Sequence, residues 1–258
     1  MAVIWGLDLH DIQWSKFKSS YMFGNKDYHL RRTKFAVYQI AMIFCVVSES
    51  VGTAALSGKS LLPALEEHHE EPMSLTKVLH AGADYVKQQS TIESLHSSAS
   101  VHNDDFVGIA SYNIFVGIAV ATIFGAAFFF DLFFPERYEP RNIRWAWRIS
   151  ALVVTIMTLA DALALTVIVA TGNAWIAADS EDARLIAQER INPPLVYRHN
   201  GRAVASAVFV WIGLCGTIAS CVVMWLYYRH LEIYGPKSHS ARMRRMEDKT
   251  ITDSPSIA

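Results

Sequence analysis

Apolar residues along this chain gather into four long runs separated by polar stretches. The runs follow neither the period of two of a half-buried strand nor the regular polar face of a soluble helix. They cover 35–56, 106–134, 149–170 and 203–228, and none contains lysine or arginine. Each exceeds the ~20 apolar residues that a helix needs to cross a hydrocarbon layer of about 30 Å at 1.5 Å per residue. The pattern predicts an all-α protein, a transmembrane four-helix bundle over 35–228. Residues 1–34 read as a cytoplasmic juxtamembrane segment and 229–258 as a cytoplasmic, largely disordered tail.

Polar stretches carry weaker periodicities. In the first outer loop, "SLTKVLHAGADYVKQQSTIESL" spaces Leu75, Val78, Leu79, Val86, Ile92 and Leu95 near a helical period, with Ser74 as N-cap after Pro72. A short amphipathic helix is expected there. A second helical stretch is expected near 181–191, stopped by Pro193 and Pro194.

Charge adds an orientation. Sixteen of the lysines and arginines fall in the N-terminal segment, the 135–148 connection and the tail, against seven in the 57–105 and 171–202 loops. The positive-inside bias then sets both termini in the cytoplasm, in the plasma membrane or an endomembrane. Trp145, Trp147, Trp225, Tyr227 and Tyr228 stand where an aromatic belt would mark the same interface. The formal net charge of −1 offers no footprint for nucleic acid. The first 30 residues show no apolar core of a cleavable signal, so the first span is expected to direct its own insertion.

The candidate chemistry lies inside the runs. Asp161 has no other charged residue between Arg148 and Asp179. With spans taken as rulers, Glu49, Asn113 and Asp161 fall within about 5 Å of one another in depth. Thr155, Thr158 and Asp161 recur every three residues on one stripe, and Cys45, Glu49 and Thr53 every four on another. A polar cluster of Glu49, Asn113, Thr158 and Asp161 is expected, with at least one carboxyl protonated at neutral pH. A charge at mid-membrane costs ~3 kcal/mol on insertion scales, and no lysine or arginine shares that depth. The cluster could serve as structural glue, since interhelical hydrogen bonds in bilayers average ~0.6 kcal/mol. It could equally be a proton or cation site, or a determinant of partner binding. Gly117, Ala121 and Gly125, with Gly216 and Ser220, form small-residue edges suited to close helix packing. Asp131, near a span end, is expected to pair with Arg137 or Arg144.

Other features weigh less. His68 and His69 in "EEHHEEP" are weak metal candidates in what reads as a solvated acidic loop. His29, His102, His199 and His230 flank the spans, whereas axial haem ligands usually sit within bundle helices. No cofactor is expected. Cys45, Cys215 and Cys221 all lie in spans, leaving no disulfide framework for the loops.

In layout, residues 35–228 resemble the four-span membrane proteins of the MARVEL and claudin-like kind: both termini inside, two outer loops, a compact bundle. That resemblance implies a non-enzymatic tetraspan scaffold, one that organises membrane or assists a partner complex. The expected partners are lipid and another membrane protein or a second copy of the chain. The alternative is a small proton- or cation-coupled carrier using Glu49 and Asp161, with Asn113 as a neutral ligand.

Overall fold

The computed structural model describes residues 3–4, 7–8, 12–24, 27–57, 100–177 and 195–252. The helices expected at 74–95 and 181–191, and the His68–His69 pair, lie outside the described residues. Among the described residues there are six α-helices: α1 (Ser19–Gly24), α2 (Arg31–Ser57), α3 (Asp104–Phe133), α4 (Arg141–Thr171), α5 (Gly201–Tyr234) and α6 (His239–Thr252). Two short antiparallel pairs join β1 (Val3–Ile4) to β2 (Leu7–Asp8) and β3 (Ser100–His102) to β4 (Trp175–Ala177). In the second pair Val101 stands opposite Ile176.

Helices α2 to α5 are long and apolar enough to cross a membrane, over Arg31–Leu56, Asp104–Phe133, Arg141–Thr171 and Gly201–Tyr234. Every one begins before its apolar sequence run, because charged flanking residues continue the helix. Helix α2 starts at Arg31 and so takes in Lys34, while α4 starts at Arg141, directly after Pro140.

The ends follow local chemistry. Asp104 and Asp105 occupy the first turn of α3, where carboxylates complement the helix dipole. Before α5, the Asn200 side chain accepts from the Arg202 backbone N–H at 3.0 Å, which makes it the N-cap. Gly235 closes α5 at φ +79°, donating its N–H to Leu231 O at 3.1 Å, and Pro236 forbids continuation.

The tail differs from its sequence reading. Its polarity suggested disorder, yet α6 forms over His239–Thr252. Ser238 caps it, accepting from the Ala241 N–H at 3.3 Å, and Arg244 meets Asp27 at 3.0 Å. Local helix formers and a cap thus outweigh low hydrophobicity.

The chain divides into two compact units. The first comprises 1–42, 120–155 and 215–258, and the second 43–119 and 156–214. Large aromatic residues fill the first: Phe35 against Phe128, Tyr38 against Phe124, with Leu132, Phe133 and Met224 fully or nearly buried. The second packs Phe106, Leu165, Tyr197, Val210 and Leu214 among alanines.

Candidate functional site

In the second unit a hydrogen-bonded polar node joins three helices. Ser48 of α2 donates to Ser206 O of α5 at 2.9 Å, and the Ser206 hydroxyl donates back to Ser48 O at 2.9 Å. Such reciprocal bonds require the two backbones to approach closely. Asn113 of α3 completes the node: its Nδ2 donates to Ser206 Oγ at 3.2 Å, and its Oδ1 lies 3.3 Å from Ser48 Oγ. All three side chains are essentially inaccessible. Gly52 makes the room, for a methyl there would stand 3.1 Å from Asn113 Nδ2 and 3.2 Å from Ser206 Oγ. Neither Ser48 nor Ser206 is among the residues expected from sequence. The available signal was the small-residue spacing of Cys45, Ser48 and Gly52 on one helical face.

The two acids stand apart from this node. Asp161 of α4 is 0% exposed, and among the described residues neither carboxyl oxygen has a hydrogen-bond partner. It lies within electrostatic reach of Cys45 and Tyr112. Thr158, one turn earlier on α4, is fully buried too. Glu49 is half-buried and packs against Gly117, where an added methyl would overlap its carboxylate. Among the described residues no hydrogen bond or ion pair links Glu49, Asn113 and Asp161. The structure thus brings Asn113 to two serines and leaves Asp161 without a polar protein partner. Nearby hydroxyls turn inward on their own helices: Thr53 donates to Glu49 O at 2.9 Å and Thr166 to Ala162 O at 2.6 Å. A lone carboxyl in this setting can stay only if a proton or a cation neutralises it.

The first unit treats charge differently. Asp131 accepts from Lys34 Nζ at 2.6 Å and from Arg137 at 3.2 Å, and Arg137 also meets Glu139. Arg137 was one of the two partners expected from sequence. Lys34 was missed because it lay outside the apolar run. Burial opposes the charge of Arg137, but the Asp131 and Glu139 carboxylates outweigh it and raise its pKa. Lys34 also sits 3.3 Å above the Tyr227 ring. Arg31, 3% exposed, has three nitrogens without hydrogen-bond partners among the described residues, and the rings of Tyr21, Tyr28 and Phe35 lie 4.8–5.3 Å from its guanidinium carbon. Aromatic faces replace the missing acceptors there. Tyr28 donates to Glu136 at 3.1 Å, and its hydroxyl is pushed up to about 12 by burial and by that carboxylate.

At the small-residue positions, a methyl on Gly216 would sit 2.8 Å from the Ala41 backbone nitrogen, and one on Gly125 3.2 Å from Met42 Sδ. Ala121 is half-buried, and Ser220 is fully buried with its hydroxyl unbonded. Gly213, not singled out from sequence, packs against Cys45, whose Sγ lies 2.6 Å from where its Cβ would stand. Three of the four flanking histidines stack. His29 lies on His230 at 3.7 Å and 6°, and His102 on Trp175 at 4.1 Å. Among the described residues no three His, Cys, Asp or Glu side chains converge as a metal site. No protein-family model, curated protein or solved structure matches this chain.

Proposed function

We propose that this chain is a non-enzymatic four-span membrane protein that organises membrane or assists a partner membrane complex. Both termini face the cytoplasm, as the lysine and arginine distribution favours, with the 57–105 loop on the outer side. The host bilayer is the plasma membrane or an endomembrane. One observation carries the reading. At Gly213 and Gly216 an added methyl would crowd Cys45 and the Ala41 backbone, so α2 and α5 pack directly on one another there. What the helices present outward is apolar: on α4, Ile149, Val153, Ile156, Leu163 and Val167 are each about half exposed. Such faces suit lipid, a second copy of the chain or another membrane protein. Native mass and in-membrane crosslinking test this reading, which expects a stoichiometric partner or a defined homo-oligomer. A monomer that crosslinks to nothing in its own membrane overturns it.

Asp161 favours a second reading, a proton- or cation-coupled carrier, because a partnerless buried carboxyl is what such a cycle uses. In liposomes, pH-dependent flux that disappears with Glu49→Gln plus Asp161→Asn supports the carrier. Flux unchanged by the double substitution removes it.

A further inference from the structure

A groove of about 400 Å³ opens on the first unit, between the start of α4 and the end of α5. Its walls divide by chemistry. Arg148, Arg229 and Glu232 line one part, and Val222, Trp225 and Leu226 another. Val222 and Leu226 are about half exposed although they lie inside a helix apolar enough to span a bilayer, so this wall faces hydrocarbon. The arginines stand at the charged ends of α4 and α5, beside Trp145 and Trp225, where an aromatic belt meets headgroups. We propose that the groove binds one anionic glycerophospholipid, with its phosphate between Arg148 and Arg229 and an acyl chain over Val222 and Leu226.

Charge and burial support that occupant. Arg148 is 5% exposed, and its guanidinium carbon lies 5.1–5.6 Å from the rings of Trp145, Trp225 and Tyr228. Those rings fix its plane. One terminal nitrogen donates to Glu232 at 2.9 Å, while Nε has no hydrogen-bond partner. Arg229 is exposed and meets no carboxylate among the described residues. Two cations against one acid leave a surplus positive charge, and a guanidinium fork matches phosphate oxygens. A held arginine with spare donor capacity, a second arginine and a hydrocarbon-facing apolar wall together match a lipid phosphate better than a soluble anion.

The test uses the full chain in detergent, with native mass spectrometry of added phosphatidic acid, phosphatidylserine and phosphatidylcholine of identical acyl chains. One molecule of either anionic lipid should be retained, and phosphatidylcholine released. Arg229→Gln, at an exposed position, should weaken retention about fivefold. Glu232→Gln removes the competing carboxylate and should strengthen it. Excess inorganic phosphate or glycerophosphate should leave the bound lipid in place. Equal retention of phosphatidylcholine, no change in either variant, or displacement by the soluble phosphates would each overturn the proposal, the last in favour of a soluble anion.

Discussion

The two units of this chain bury polar groups on opposite terms. In the first, most buried charges face an opposite charge or an aromatic ring: Lys34 and Arg137 on Asp131, Arg148 on Glu232, Arg31 among three rings. In the second, the buried polar groups are mostly neutral, Ser48, Asn113 and Ser206, and they bond to one another. The exception is Asp161, buried with nothing to bond. A paired buried ion is costly to break, because removing one partner strands the other. An unpaired one is costly to keep. The first arrangement therefore reads as architecture, and the second marks a place where stability has been given up.

The largest effect should come from breaking the paired side. Asp131→Asn strands Lys34, and thermal unfolding in detergent should show a loss of ~3 kcal/mol or more. Lys34→Met combined with Asp131→Leu should recover much of that loss. A double variant as damaged as the single one would mean that the ion pair is not its source.

Close packing tests what the units share. Gly216→Val drives a side chain into the Ala41 backbone and should cost ~1–3 kcal/mol. Gly108→Ala, with nothing within 4 Å, should be neutral or slightly stabilising. Equal losses at both positions would refute close approach as the reason for glycine at 216.

The neutral node is worth less than the ion pairs. Asn113→Ala should cost about 1 kcal/mol, within the range of interhelical hydrogen bonds in bilayers. A loss as large as that of Asp131→Asn would erase the contrast between the units.

The smallest effect concerns pH. Burial lowers the pKa of His29, and His230, Lys34 and Arg242 lower it further. A folded value below the unfolded one, about 6.5, means a contribution that is present above that pH and lost as pH falls through the lower folded value. Amide protection factors around 27–34, corrected for the intrinsic pH dependence of exchange, should therefore fall modestly on acidification. His29→Gln should flatten the dependence, and a variant as pH-sensitive as the wild type would contradict it.

Much of the fold was legible because membrane spans are written as unbroken apolar runs. Their ends were not, since Arg31 and Lys34 extend α2 while interrupting its hydrophobic pattern. For Asn113 and Asp161 the sequence offered a depth along a span but no facing. A ruler of 1.5 Å per residue gives height and says nothing of which helix lies opposite. That is why Ser206 escaped notice, one of several small residues in a run rich in them. The helix α6 was hidden for another reason: beside its local Ser238 cap, the Arg244–Asp27 pair ties it to a segment far away in sequence.

The contrast turns on Asp161, and replacing it with its neutral isostere tests it most directly. Thermal unfolding of Asp161→Asn beside wild type, in the same detergent without added cations, should show a variant at least as stable as the parent, since no protein bond to the carboxyl is lost. A drop approaching that of Asp131→Asn would show that the carboxyl has a protein partner after all, and the two units would then follow one rule.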